Sequence, residues 1–315
     1  MPTLEHAQHS FDLVVLGSGA GGFAAAATAA RRGLKVLVVE KAEHFGGTSA
    51  ISGGAVWLYG TDQARAAGAK DSPEAMHTYL KQVIGNGYDP TLADAFIEHG
   101  HQALRWLEQN TELRYALRPH SPDYYPDAPG ATQFGRALGE RERFPHLVTD
   151  RAKPGVIAVN LAGQRFVNES DSYHPFVQTL EQFNTDARNG IDRAFGKGGN
   201  SYNRYMGDPQ HTPNPCLAPL ASGPFYAIRI HTGDLGSARG LVTNAQANVL
   251  NRDGQPIAGL YAVGNDMNSL MKGTYPGPGI TLGPALAFGW LAANHIAARL
   301  QAPATHMETP ACTTN

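Results

Sequence analysis

The sequence has little cysteine, little net charge and no long unbroken apolar run. Cys216 and Cys312 are the only cysteines among 315 residues, too few for a disulfide framework or a multi-cysteine zinc site. A reducing, cytoplasmic setting is the expectation. Lys plus Arg number 25 against 27 Asp plus Glu, a formal charge of −2. That balance offers no attraction to nucleic acid or an anionic membrane, and neither is expected as a partner. The most apolar stretch, Leu13 to Ala30, is broken by Gly17, Gly19, Gly21 and Gly22, so no membrane span is expected. The opening MPTLEHAQHS has neither the cationic start nor the apolar middle of a secretory signal and reads as a short leader. Nothing in the residue pattern calls for a metal.

What is present is enough for a core: 42% of residues are hydrophobic and 17% charged. At about 150 residues per domain, the length allows two domains or one large one. With 36 glycines and 21 prolines, many positions are turns or close backbone approaches. Phe11–Leu16 and Lys35–Val39 read as buried parallel strands, separated by an alanine-rich helix over Ala20–Arg32 that Gly33 closes. Pro73–Ile84 and Thr91–Glu108 carry helical periodicity, and Ser121–Gly135 reads as a Tyr/Pro/Gly loop. Short strand-like runs return at VIAVN and RFVNES, and Asn200–Pro215 reads as irregular. Leu241–Leu250 and Gly259–Val263 suggest strands, Ile280–Leu300 an apolar helix, and the tail from Ala302 has no core pattern. The fold class is α/β.

The strongest motif is LVVLGSGAGGFAAAATAARRGLKVLVVEK. Gly17, Gly19 and Gly22 form G-x-G-x-x-G between a strand and a helix. The first glycine makes the tight turn, the second lets backbone approach a pyrophosphate, and the third permits close helix–strand packing. At Ala20 the helix begins, and its free N–H groups and dipole favour phosphate. Glu40 ends the second strand, where a carboxylate accepts hydrogen bonds from ribose hydroxyls. This register fits a flavin dinucleotide or a nicotinamide dinucleotide.

After Glu40 and Lys41 comes H-F-G-G-T-S-A-I-S-G-G, which resembles the FAD-binding loop of the flavoprotein family containing fumarate reductases and 3-ketosteroid dehydrogenases. The resemblance implies FAD, with Gly46, Gly47, Thr48 and Ser49 towards the pyrophosphate and Gly53 and Gly54 on the isoalloxazine face. It also implies a Rossmann-like FAD-binding domain of the glutathione-reductase type. The segment G-L-Y-A-V-G-N-D-M-N-S-L-M-K-G-T-Y-P-G-P-G-I-T-L-G is similar to the closing part of the 3-ketosteroid dehydrogenases. There Gly264 and Asn265 would end a strand where the ribityl chain passes. Gly279, Ile280, Thr281 and Leu282 would open a helix towards the flavin pyrimidine edge, where its dipole favours negative charge.

A dicarboxylate reductase needs guanidinium groups, and the stretch from Gly264 to Gly289 contains no arginine. The Thr-Tyr-Pro-Gly-Pro-Gly run instead matches the ketosteroid branch. By that resemblance Tyr275 and the Gly279 N–H polarise a ketone, Tyr173 in N-E-S-D-S-Y takes the α-proton, and Tyr124 in P-D-Y-Y-P-D assists it, with Tyr125 as its rival. The expected reaction is α,β-dehydrogenation of a 3-ketosteroid-like ketone, with hydride passing to flavin N5 and then to an unidentified acceptor. The rival enzyme is a fumarate-reductase-like alkene reductase using His231, Arg229 or Arg239. The non-enzymatic reading is a shortened flavin-binding module.

The chain departs from the family in length. A strand ending in an A-T-G-G-like element and its supporting strand pair have no counterpart, and the substrate cap shortens near Val177–Thr179. A natural short relative, an incomplete gene model and a deliberately trimmed or generated sequence each account for this. The expected organisation is the first part of the FAD-binding domain over 1–150 and a reduced α+β substrate or cap domain over 151–235. The second part of the FAD-binding domain follows over 236–301, with a disordered tail over 302–315.

Overall fold

The computed structural model describes residues 10–118, 121–131, 137–138, 152–158, 165, 168, 187–219 and 236–301. The expected opening unit is present. Strand β1 (Leu13–Leu16) leads through helix α1 (Ala20–Arg31) into β2 (Val36–Val39). The two strands pair in parallel, Leu13 against Val36 through Leu16 against Val39. The crossover helix between them is what a parallel pair requires.

β3 (Val56–Trp57) follows, then α2 (Asp62–Ala66), α3 (Pro73–Ile84) and α4 (Pro90–Asn110). The starts of α3 and α4 are written in the sequence. Ser72 accepts from the Ala75 N–H at 3.1 Å and Asp89 from Leu92 at 3.2 Å, and a proline follows each cap, where its missing N–H costs nothing. β4 (Ala137–Leu138) pairs antiparallel with β3. α5 (Ser201–Met206) lies inside the stretch expected to be irregular. Its signal is Asn200, whose side chain accepts from the Asn203 N–H at 2.7 Å.

β5 (Asn248–Leu250) and β6 (Pro256–Tyr261) pair antiparallel, and α6 (Leu282–Gln301) closes the described chain. The continuous strand expected over Leu241–Leu250 is interrupted. The Asn244 side chain accepts from the Gln246 N–H at 3.1 Å and the Asn248 N–H at 2.9 Å, folding a local turn that competes with the ladder. Leu241 and Thr243 keep only isolated bridges.

α1 lies directly on α6 because small residues face each other. A Cβ on Gly289 would stand 2.5 Å from the Gly21 carbonyl oxygen and 2.9 Å from the Ala24 Cβ, so nothing larger than hydrogen fits. Ala29 and Ala293 are fully buried at the same seam. At its far end Arg32 donates to the Asn294 side chain at 2.9 Å. The main core lies beyond, around Trp57, Tyr79, Leu80, Phe96, Leu104 and Phe288, with Trp57 stacked on Phe96 at 6.2 Å between ring centroids.

The face of β1–β2 turned away from α1 is open to solvent. Leu16 is 78% exposed, Val14 50% and Val39 45%. Parallel strands are ordinarily covered on both faces, so an uncovered face agrees with the shortened chain read from the sequence. A buried ion pair lies in the middle section: Arg165 forms two parallel bonds to Asp192, at 3.1 and 3.0 Å. Cys216 is buried, its Sγ donating to the Asn203 carbonyl at 2.9 Å, in keeping with a small core residue.

Candidate functional site

The site begins at the glycine turn between β1 and α1. Gly17 has φ +93°, a left-handed conformation natural to glycine, and its N–H donates to the Val39 carbonyl at 2.7 Å. A Cβ on Gly22 would lie 2.2 Å from the Gly17 carbonyl oxygen. A Cβ on Gly19, by contrast, would meet only the Ser49 hydroxyl at 3.8 Å. The turn is therefore packed shut on its inner side and open on its outer side, as a backbone cradle for a diphosphate must be.

Three polar groups tie this turn to its neighbours. Glu40 accepts from the Ser18 N–H at 2.9 Å and from the Ser18 hydroxyl at 2.5 Å. The same hydroxyl oxygen accepts from the Gly46 N–H at 2.8 Å. Ser49 accepts from the Ala20 N–H at 3.1 Å. Ser18 thus joins the turn, the acid after β2 and the second glycine loop. Sequence reasoning passed over it because it fills a free position of the motif.

The hydrogen bond from the Ser18 hydroxyl, with further backbone N–H bonds from Ala42 and Ser18, lowers the Glu40 pKa from 4.5 to about 2. The native state therefore favours the carboxylate, and the sign follows. The stabilisation is complete above pH about 4.5 and is lost as pH falls towards about 2. Thermal melts of Glu40→Gln and the unaltered protein should differ most near neutral pH. The difference should shrink through that acid window; a gap independent of pH would contradict it.

Gly47 to Ile51 form a short helical turn, and the chain runs through Gly53 and Gly54 to β3. Thr48 and Gly53 are exposed and Ser49 half-buried, while Lys41 is exposed beside Glu40. From β3 the path reaches the closing segment. The Trp57 N–H donates to the Gly279 carbonyl at 3.2 Å, and Gly283 donates to the same oxygen at 2.9 Å. A Cβ on Gly279 would stand 2.5 Å from the Ala55 carbonyl oxygen. Gly279 has φ +97°, so both its space and its backbone call for glycine. Ile280 is buried, and the Thr281 carbonyl accepts from Ala285 at 3.3 Å as α6 begins.

The two ends of the chain meet here. A Cβ on Gly21 would lie 3.0 Å from the Gly264 nitrogen, so the start of α1 rests on the turn after β6. Gly264 belongs to a one-turn helix over Gly264–Asp266, three residues beyond the strand that it was expected to end. Asn265, exposed, sits against Gly236, whose Cβ would fall 2.1 Å from its side-chain nitrogen.

The tyrosines assemble on the segment that leads into Gly279. The Tyr124 and Tyr275 rings stack with centroids 5.5 Å apart and planes 16° from parallel, and Tyr202 meets Tyr124 edge-on at 4.9 Å. The Tyr124 N–H donates to the Pro276 carbonyl at 2.9 Å. Tyr125 is 45% exposed and is not part of this stack. Tyr173 and its neighbour His174 lie outside the described residues, as do Arg229 and His231. Arg239 is exposed. Trp57, Asp123 and Tyr79, all buried, were not singled out from the sequence: no motif marks Trp57 or Tyr79, and Asp123 falls inside the P-D-Y-Y-P-D run without a role of its own.

The FAD binding domain family matches residues 12–141 and 174–282, more than half of the chain. The chain belongs to that family. Its cofactor is FAD, and the open cradle at Gly19, the acid at Glu40 and the meeting of Gly21 with Gly264 suit the binding of an extended dinucleotide.

Among curated proteins the chain is 23% identical to the 3-oxosteroid 1-dehydrogenase of Mycobacterium tuberculosis (strain ATCC 25618 / H37Rv), over 552 residues covering 91% of this chain and 98% of that one. An alignment of 552 positions exceeds these 315 residues, so long parts of the relative have no counterpart here. The 3-oxosteroid 1-dehydrogenase of Comamonas testosteroni is 47% identical over 106 residues, 34% of this chain and 18% of that one. Among solved structures, a 3-ketosteroid delta1-dehydrogenase from Sterolibacterium denitrificans superposes with a TM-score of 0.82 at 24% identity, covering 93% of this chain and all of that one. The fold is therefore that of the FAD-binding flavoenzymes, and the FAD-binding chain is an oxidoreductase by family. No helix among the described residues is long and apolar enough to cross a membrane.

Proposed function

We propose that the protein is an FAD-dependent dehydrogenase acting on the α,β bond of a ketone, with a 3-ketosteroid-like molecule as substrate. The supporting observation is the stacked Tyr124–Tyr275 pair, with Tyr275 standing four residues before Gly279 in the chain. It offers neutral hydroxyls and a glycine backbone rather than fixed positive charge, and such groups suit a neutral, apolar ketone.

In this reading the Tyr275 hydroxyl and the Gly279 N–H donate to the carbonyl oxygen, and both bonds strengthen as negative charge develops there. The Gly279 carbonyl accepts from Trp57 and Gly283, which anchors the residue whose N–H, in the preceding peptide, would donate. Tyr173, as its phenolate, accepts the α-proton, with Tyr124 polarising the pair. A phenol near pKa ~10 is a weak base in water, so its partners must favour the ionised form. Bound FAD supplies the two-electron acceptor for the hydride that leaves the β-carbon, and the product is the α,β-unsaturated ketone.

The FAD contacts assigned by this reading are those of the glycine turn and Ala20, Glu40 with Lys41, the loop from Gly46 to Gly54, the pair Gly264–Asn265, and Gly279 to Leu282. A glutathione-reductase type of FAD domain built from 1–150 and 236–301, with a reduced cap over 151–235, is part of the same proposal. So is a cytoplasmic site of action.

The purified protein, loaded with FAD, should lose its visible flavin band when a saturated 3-ketosteroid is added without oxygen. The steroid recovered should carry a new C=C bond beside the ketone. A flavin band that persists with every such steroid would rule the substrate assignment out. Bleached flavin reoxidised by fumarate would assign the site to the alkene reductases instead.

A further inference from the structure

We propose that Tyr79, which no sequence motif marks, is a positioning residue that sets the Tyr124–Tyr275 pair. It deepens the function proposed above, and only its kinetic test rests on that reading. Tyr79 is fully buried on α3, and its hydroxyl donates to the Pro276 carbonyl at 2.5 Å. That carbonyl also accepts from the Tyr124 N–H at 2.9 Å. The Tyr79 oxygen in turn accepts from the Tyr125 N–H at 3.3 Å. One hydroxyl therefore bridges a helix, the Tyr124–Tyr125 loop and the carbonyl of Pro276, the residue that follows Tyr275.

The surroundings leave this bridge little freedom. At the far end of the same loop, Gly130 has φ +80° and a Cβ there would stand 2.1 Å from the Ala75 carbonyl oxygen, so the loop returns to the backbone of α3. On the other side, a Cβ on Gly277 would stand 2.4 Å from the Trp57 indole nitrogen. That nitrogen donates to the buried Asp123 carboxylate at 2.9 Å. Tyr275 precedes a proline, which restricts its backbone to extended conformations. Its ring height over Tyr124 then depends on where the Pro276 carbonyl is held. Displacements of about 1 Å at a reacting group can cost two orders of magnitude in rate.

Tyr79→Phe removes the oxygen and keeps the packing. In the full-length protein the Tyr124 and Tyr125 amides should exchange hydrogen for deuterium at least about tenfold faster, with the α3 amides unchanged. A general loosening would speed α3 as well, and either that result or unaltered Tyr124 and Tyr125 exchange overturns the proposal. With a 3-ketosteroid that bleaches the unaltered protein, kcat per bound flavin should fall about tenfold or more while KM moves by less than about twofold; an unchanged kcat overturns it too. If no ketone bleaches the unaltered protein, the proposed function fails while the exchange comparison still decides the role of Tyr79. Should the variant not fold, the unaltered protein gives the answer. A Tyr124 amide protected like those of α3 supports the bridge, and one exchanging like an open loop refutes it.

Discussion

Tyr275→Phe should slow ketone-driven flavin bleaching by about 10²–10³-fold, the cost of removing one donor from a developing oxyanion, roughly 2.7–4 kcal/mol. The expected loss is confined to that one oxygen because the ring itself remains useful. Phenylalanine can keep the stack on Tyr124, whose centroid lies 5.5 Å away, and the hydrophobic contacts around it. FAD affinity and thermal stability should therefore change little, and the effect should appear in kcat. Stopped-flow reduction under anaerobic conditions measures it directly. A rate within about threefold of the unaltered protein would remove Tyr275 from the reacting groups. A parallel loss of FAD would make it a packing residue instead.

The second large effect is expected at the glycine turn, where two neighbouring glycines should fail in different ways. In Gly22→Ala the new methyl would lie 2.2 Å from the Gly17 carbonyl oxygen and 3.2 Å from the Val15 Cγ1. Backbone is the obstacle, so the helix must shift away from β1, at a cost of about 1–3 kcal/mol or more. Both melting temperature and bound flavin should fall. In Gly19→Ala the methyl points towards open space bounded by Ser49 at 3.8 Å. The protein without FAD should then melt as before, while FAD binding weakens because the methyl occupies the side on which the diphosphate approaches. Flavin fluorescence titration and melts with and without FAD separate the two. Equal behaviour of the two variants would mean that the outer side of this turn does not face the cofactor.

Much of this architecture is legible in the order of residues. The βαβ opening follows from two runs of Val and Leu around an alanine-rich segment, and the structure places its boundaries within two residues of those expected. Ser72-Pro73 and Asp89-Pro90 announce their helices through capping chemistry that is local by nature. The Asn244 turn and the Asn200 cap are equally local, yet both were missed, since an asparagine that bonds its own neighbours competes with the β-strand or loop suggested by composition. Tyr124 could be narrowed only to a pair with Tyr125. The distinction between them is packing, and the rings that Tyr124 packs on, Tyr202 and Tyr275, lie far later in the chain.

The need for glycine at Gly17 and Gly22 was readable for a physical reason: a left-handed turn and a close helix–strand approach each require the absence of a side chain. The polar clasp around Pro276 was not readable. Tyr79, Tyr124 and the Pro276 carbonyl come from three separated segments, and an ordinary tyrosine in an amphipathic helix reads as core until a carbonyl from elsewhere arrives at its hydroxyl. Composition and motif spacing determined the α/β class, the dinucleotide turn and the family likeness, because these depend on short-range geometry and on which side chains are missing. Tertiary packing alone decided that Gly21 rests on Gly264, that Ser18 bridges Glu40 to Gly46, and that Tyr124 rather than Tyr125 stacks on Tyr275. Each of these is a contact between distant stretches, formed only once the helices and loops that carry them have closed on a common core.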